Sequence, residues 1–224
     1  MGIYTHFYFL PFYFQAVQTQ TAEGSGIRTL PYIVLSTVFA IIAGVGTTIS
    51  GYFTPFMVAG GAIFTIGSGL LITLEVSTST GMWVGYQLLA GAGAGMALQT
   101  PFFAVQAVVN EADLPIGNAL TAFFNTCGAA ISVSVAQNIF AQTLVEQLTE
   151  TVPQINPEII VGAGATRVAA VTPPKLLPLV LEAYNEAVTT AFIYAIATGG
   201  VAFIFSLGVE WKSVKGKKLS AAAA

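Results

Sequence analysis

The feature that most constrains this chain is a run of 46 residues without a charged side chain, from Thr29 to Leu74. A spanning helix needs about 20 apolar residues to cross a hydrocarbon core of about 30 Å. The run is therefore long enough for two spanning helices. The segment from Ser50 to Pro55 predicts the turn between them, because it combines serine, glycine and proline.

The composition excludes an ordinary soluble domain. The 224 residues are 55% hydrophobic and 8% charged, whereas soluble domains carry about 25% charged residues. A net charge of -3 argues against nucleic acid as a partner. The single cysteine, Cys127, lies in an apolar run and has no second cysteine with which to form a disulfide within the chain.

Further uncharged runs predict more spans of the same kind. We expect an all-α membrane protein with six transmembrane helices, forming one bundle over residues 1–210. The predicted spans are residues 3–18, 27–49, 56–74, 82–109, 116–140 and 187–209, followed by a basic tail at 211–224.

The orientation follows from lysines that come directly after the last span, Lys212, Lys215, Lys217 and Lys218. The positive-inside rule places them, and the carboxyl terminus, in the cytoplasm. Alternation then puts the amino terminus inside as well, because the number of spans is even. The predicted cytoplasmic turns are 50–55 and 110–115, and the predicted outward connections are 19–26, 75–81 and 142–186.

The outward loop 142–186 has two different halves. Prolines and glycines interrupt the first half, whereas Leu176, Leu179, Val180 and Ala183 recur at helical spacing in the second. This pattern predicts a helix that leads into the last span. The loop is either a cap over an outward-facing cavity or a connector that rests on the bundle.

Two predicted spans carry a stripe of polar and small residues. In the fourth span, Gln87, Gly91, Gly95, Gln99, Gln106 and Asn110 recur at steps of four or seven residues and share one face. The fifth span has a similar stripe of Asn118, Thr121, Asn125, Gly128, Ser132 and Ala136. Such stripes either pack helices together through close contacts and hydrogen bonds or line a pathway.

We weigh packing and pathway about equally for Gln99 and Asn125. Pro101 favours a pathway along the fourth span, because it interrupts the backbone hydrogen bonds and such interruptions need protein or water nearby. The candidates for packing or a kink are Gly91, Gly95, Pro101 and Gly128. The candidates for a substrate pathway are Gln15, Gln87, Gln99, Gln106, Asn118 and Asn125.

The sequence lacks the residue patterns that proton coupling, metal binding and phosphate binding require. None of the ten acids falls in the middle of a predicted span, where proton coupling usually requires one. His6 and Cys127 form no cluster of metal ligands, and no phosphate-binding loop is present. We therefore expect neither an enzyme, nor a metal site, nor a cofactor, and we interpret His6 as a packing residue.

Several segments together carry a resemblance to a known family. They resemble, in order and spacing, the carboxyl-terminal half of fungal major facilitator transporters of the fourteen-span drug:proton antiporter type. The segments are 8–18 (YFLPFYFQAVQ), 24–31 (GSGIRTLP), 51–56 (GYFTPF), 85–87 (GYQ), 99–101 (QTP), 104–106 (AVQ), 113–118 (DLPIGN), 155–157 (INP) and 162–164 (GAG).

The resemblance implies export of drugs, mycotoxins or other small molecules by alternating access, driven by the proton gradient. It also implies an integral protein of the plasma membrane or of a vacuolar membrane. In such carriers two six-helix halves enclose a site at the midplane, and the half with the usual proton-coupling acids has no counterpart here. We expect a truncated half that pairs with a missing amino-terminal half or with itself.

Two other interpretations remain open. The chain is alternatively a membrane protein that transports nothing and assembles with a full-length carrier. A fragment of a siderophore-iron carrier, which has a related architecture, is the nearest alternative among transporters.

Overall fold

The computed structural model describes residues 1–213, which form helices joined by short connections. Within this range no β-strand forms, and one isolated bridge joins Tyr52 to Ser213. Lys215, Lys217 and Lys218 of the predicted basic tail lie outside the described residues. The helices are α1 (Gly2–Phe12), a π-helix (Tyr13–Val17), α2 (Ala22–Ser50), α3 (Thr54–Leu71), α4 (Thr80–Val108), a 3-10 turn (Glu111–Asp113), α5 (Leu114–Thr151), α6 (Pro157–Ala163), α7 (Val168–Val171) and α8 (Leu177–Leu207).

The predicted class of all-α membrane protein is confirmed. In the described part of the chain, five helices are long and apolar enough to cross a bilayer, namely α2, α3, α4, α5 and α8. The first predicted span is helical, with eleven α-helical residues that lead directly into five π-helical ones. Together these residues are fewer than the about 20 that a spanning helix needs. Among the described residues, five helices therefore have the length and apolarity of a span, and the prediction of six spanning helices is not confirmed.

The turn between α2 and α3 is built as its sequence predicts. α2 begins after Thr21, whose hydroxyl accepts a hydrogen bond of 3.1 Å from the backbone N–H of Gly24. It ends at Gly51, which has a φ of 80°, a conformation that glycine adopts without strain. Pro55 then occupies the first turn of α3, where its missing N–H costs nothing.

α5 is longer than its predicted span. Its 38 residues correspond to about 57 Å at 1.5 Å per residue, well beyond a hydrocarbon core of about 30 Å. The final turns past Phe140 remain packed, because Leu144 and Leu148 are completely buried. α8 begins at Leu177, ten residues before the predicted span, so the helix predicted to lead into that span is confirmed. The segment expected to be an outward loop is thus largely helical.

The residues between α5 and α8 form a small helical cap. α6 and α7 each contribute one fully buried side chain to the main apolar core, Ile160 and Val168. Val180 and Ala183 at the start of α8 belong to the same core. The segment is therefore packed and folded against the ends of α5 and α8.

The connections fall into two groups at opposite ends of the bundle. Thr54 at the start of α3 donates a hydrogen bond of 3.4 Å to the carbonyl oxygen of Glu210, so the α2–α3 turn lies beside the carboxyl-terminal residues. At the other end, the side chains of Tyr13 and Asn185 bond to the carbonyls of Glu75 and Leu74. This grouping is the one expected from helices that alternate in direction.

Candidate functional site

The first part of the α4 stripe faces α2. A Cβ atom placed on Gly91 would lie 2.5 Å from the carbonyl oxygen of Tyr32, and one placed on Gly95 would lie 2.0 Å from that of Ser36. Only glycine allows the two backbones to approach so closely. Gln87 on the same face is fully buried and donates a hydrogen bond of 3.0 Å to the carbonyl oxygen of Arg28.

Gln99, farther along the same stripe, reaches a space that α2 does not fill. It lines a groove of about 540 Å³ with Phe103 of α4 and with Ala40, Gly44 and Thr48 of α2. We call this space the α2–α4 groove. Gln87 and Gln99 therefore share a helix face but have different surroundings: Gln87 bonds to a neighbouring helix, whereas Gln99 borders open volume.

Pro101 lies inside α4, which continues as a helix through it. Proline has no N–H, so the carbonyl oxygen of Ala97 loses its usual backbone donor. The hydroxyl of Thr100 donates to this oxygen at 3.3 Å and replaces the missing bond. Pro101 also lines a second cavity, on the other side of α4 from the α2–α4 groove.

This second space, of about 430 Å³, lies between α1, α4 and α5, and we call it the α1–α4–α5 cavity. Tyr4 of α1 and Asn125 of α5 meet in its wall, where the Tyr4 hydroxyl donates a hydrogen bond of 2.9 Å to Asn125 Oδ1. Leu98 and Phe102 of α4 and Phe124 of α5 complete much of the lining. The stripe on α5 thus faces α1 and the cavity rather than the stripe on α4.

The part of the α5 stripe that contains Gly128 and Ser132 packs against the start of the chain. Ser132 is buried, donates a hydrogen bond of 2.7 Å to the carbonyl oxygen of Met1 and lies 2.9 Å from the hydroxyl of Thr5. A Cβ atom on Gly128 would lie 3.3 Å from the Met1 side chain. Toward the other end of α5, Asn118 has a buried Oδ1 with no hydrogen-bond partner among the described residues.

The two remaining candidates lie apart from both spaces. Gln15 of the π-helix donates a hydrogen bond of 3.3 Å to the hydroxyl of Ser25 on α2. Gln106 is almost fully buried near the end of α4. The structure therefore brings Gln99 to one open space and Asn125 to the other, and the roles of all six candidates stay predictions.

A polar cluster that the sequence did not predict joins the ends of four segments. The Arg28 guanidinium donates to Gln18 Oε1 and lies 6.0 Å from the ring centre of Phe14 and 5.8 Å from that of Trp83. Gln18 in turn reaches the carbonyl oxygen of Thr78 at 3.5 Å. These contacts tie the π-helix, α2, the α3–α4 connection and α4 together at the predicted outward end.

His6 lies in an aromatic enclosure. It is fully buried, with Nδ1 3.3 Å from the hydroxyl of Tyr32, and the rings of Phe64 and Phe192 pack on it at centroid distances of 5.0 and 5.3 Å. Its Nε2 has no partner within the described range. This placement joins α1 to α2, α3 and α8 and fits the packing role expected for His6.

The described residues, 1–213, contain no candidate metal-binding cluster. No group of three histidine, cysteine, aspartate or glutamate side chains there is arranged to hold a metal ion.

Two helices leave much of their apolar surface open. Only 11% of the most apolar window of α2 and 17% of that of α5 are buried, compared with 56% for α4. Ile41 and Ile49 of α2 and Phe123 and Phe124 of α5 are among the exposed side chains. α2 borders the α2–α4 groove and α5 borders the α1–α4–α5 cavity, so each exposed surface lies beside one open space.

Tyr4 is the lining residue that sequence reasoning missed. It is one of three tyrosines in the aromatic-rich first 18 residues, and Tyr8 follows it at helical spacing, so periodicity does not single it out. Its role depends on the position of Asn125, which is 121 residues away in the sequence. No local pattern carries that information.

Comparison with known proteins identifies relatives over almost the whole chain. An MFS-type efflux pump of Arthroderma benhamiae is 40% identical over 217 residues, which are 97% of this chain and 40% of that protein. The efflux pump roqT of Penicillium rubens is 40% identical, over 93% of this chain and 39% of its own length. The MFS-type transporter astH of Aspergillus oryzae is 42% identical, over 95% and 38% respectively.

The chain thus spans about two fifths of the length of the curated relatives it matches. No model of a protein family matches it, and no solved structure matches it. Together with the apolar helices, the similarity over nearly the whole chain shows an integral membrane protein that resembles part of the fungal MFS-type efflux pumps.

Proposed function

We propose that this chain is the carboxyl-terminal half of a membrane carrier that exports small molecules, such as drugs or mycotoxins. The single observation that carries the proposal is the similarity of nearly the whole chain to fungal efflux pumps. The segments that resemble the carboxyl-terminal half of major facilitator transporters support the assignment to that half. Cargo would pass between the two halves as they rock around a site at the midplane.

The placement of the two open spaces supports a pathway along α4. Both border the stretch of α4 from Ala97 to Phe103, the α2–α4 groove on one side and the α1–α4–α5 cavity on the other. Cavities of about 300–1,000 Å³ with a few polar groups are typical of small-molecule sites. Gln99 and Asn125 supply those polar groups, one in each space.

The missing part of the carrier would cover α2 and α5. These helices expose the largest apolar surfaces beside the cavities, and the relatives have more than half of their length outside the matched region. Proton coupling would belong to that missing half, because all ten acids lie outside the predicted spans. Pairing with a second copy of this chain is the alternative arrangement.

The proposed location is the plasma membrane, with a vacuolar membrane as the alternative. The α2–α3 turn lies beside residues 210–213, and this end would face the cytoplasm together with the carboxyl terminus. The cap formed by α6 and α7 would then face outward.

Transport in proteoliposomes tests the proposal. The chain is reconstituted together with the amino-terminal part of the efflux pump roqT, and movement of a fluorescent drug is followed with and without a pH gradient. We expect flux that requires both parts and stops when an ionophore removes the gradient. If the two parts together give no more flux than empty liposomes, the carrier proposal is wrong.

A further inference from the structure

The wall of the α1–α4–α5 cavity indicates which molecules it accepts. None of its lining side chains carries a charge, and Leu98, Phe102 and Phe124 present apolar or aromatic surface. A charged molecule would lose its hydration there without gaining a compensating partner from these side chains, which is costly in a membrane interior. The lining therefore favours an uncharged, aromatic molecule.

The Tyr4–Asn125 hydrogen bond adds a directional requirement. Tyr4 donates its hydroxyl hydrogen to Asn125 Oδ1, so this contact uses the amide oxygen and leaves the amide nitrogen unused. Asn125 Nδ2 makes no hydrogen bond to any described residue, and Asn125 is only half-buried in the cavity wall. An amide nitrogen has two donor hydrogens and no acceptor capacity. It is therefore available to donate to an oxygen acceptor on a bound molecule.

We propose that the α1–α4–α5 cavity binds uncharged aromatic molecules that carry a carbonyl oxygen, with Asn125 Nδ2 as the donor to that oxygen. Tyr4 is the positioning residue that holds the Asn125 amide in this orientation. The inference rests on the proposed function, since it names the cargo class of that carrier.

Photolabelling of the full chain in lipid nanodiscs tests the proposal. The probe is benzophenone, an uncharged aromatic ketone that on irradiation inserts into neighbouring C–H bonds, and labelled peptides containing Leu98 or Phe102 are measured by mass spectrometry. The competitors are fluorenone, fluorene, which has the same skeleton without the carbonyl, and a fluorenone carboxylate. A neutral peptide tag before Met1 removes the terminal amino group from this part of the cavity.

We expect fluorenone to suppress labelling at a concentration about 3- to 10-fold lower than fluorene, the difference expected for one hydrogen bond. Asn125→Leu should abolish this preference and Tyr4→Phe should reduce it. The fluorenone carboxylate should compete roughly tenfold more weakly than fluorenone, or worse, because its charge finds no partner in the cavity wall.

The matched controls are Tyr8→Phe on α1 and Asn138→Leu on α5, which change the same residue types away from the cavity lining. Both should keep the preference for the ketone, and competition by fluorene in every variant shows that the cavity is intact. Equal competition by fluorenone and fluorene in the tagged chain without a substitution overturns the proposal. An unchanged preference for fluorenone in Asn125→Leu overturns it as well. Proton-driven flux without a ketone preference would overturn this inference alone, whereas a ketone preference without flux would count only against the carrier.

Discussion

At the scale of single residues, neighbours distinguish positions that look equivalent in the sequence. Gln87 and Gln99 belong to one periodic stripe, and periodicity predicts only that they share a face. The structure adds that α2 lies against the first and leaves a groove beside the second. This difference could not be predicted, because it depends on where another helix crosses α4.

The contrast between these two glutamines gives a prediction. Gln99→Ala should change which drugs the reconstituted carrier moves while leaving its melting temperature within a degree or two, since Gln99 borders open space. Gln87→Ala should instead lower the stability, by about 0.5–1.5 kcal/mol, because it removes the bond to the Arg28 carbonyl. Flux assays and thermal unfolding of the same preparations measure both effects. If Gln99→Ala lowers the yield of folded protein without changing which drugs are moved, Gln99 is a packing residue.

The close approach of α4 to α2 gives a second prediction. Gly95→Ala places a methyl group against the backbone of Ser36, so we expect a loss of about 1–3 kcal/mol in the free energy of unfolding. Gly85→Ala on the same helix is the matched control, because nothing lies within 4 Å of a Cβ atom there. Thermal unfolding in detergent compares the two variants, and equal stability would show that the helices are farther apart than described.

At the scale of helices, the sequence predicted which helices form better than it predicted the residues at which they begin and end. The turn at Gly51 was predictable because serine, glycine and proline mark it locally. The end of α5 was not, because charged and polar residues there suggested a loop while one face of the helix remains buried. The early start of α8 was predictable, because apolar residues recur at helical spacing from Leu176 to Ala183. The π-helix has no local signal of its own, apart from the nearby Pro11.

The packed cap between α5 and α8 gives a third prediction. Ile160→Ala should destabilise the protein by about 2–5 kcal/mol, because the side chain is fully buried in the main core. Ile159→Ala next to it removes a side chain that is 54% exposed and should have little effect. Limited proteolysis between α5 and α8 should become faster only in the first variant. Equal cleavage of both variants would indicate that the segment is a loose connector.

At the scale of the whole molecule, the sequence predicted the membrane setting and the alternation of connections. The exposed apolar surfaces of α2 and α5 add that the bundle is open beside each cavity, at α2 beside the α2–α4 groove and at α5 beside the α1–α4–α5 cavity. In the proposed carrier, a second half would lie against these surfaces and close the site on one side of the membrane at a time. The relatives, of which this chain matches about two fifths, are long enough to supply the cover.

We therefore propose that this chain pairs, through α2 and α5, with a second half of a carrier. Native mass spectrometry of the 23.3 kDa chain, co-expressed with the amino-terminal part of the efflux pump roqT, tests this pairing. We expect a complex with one copy of each part, which is lost when Ile41 and Phe124 are both replaced by arginine. If the chain is detected only as a monomer or only paired with itself, the proposed pairing with a second half is wrong.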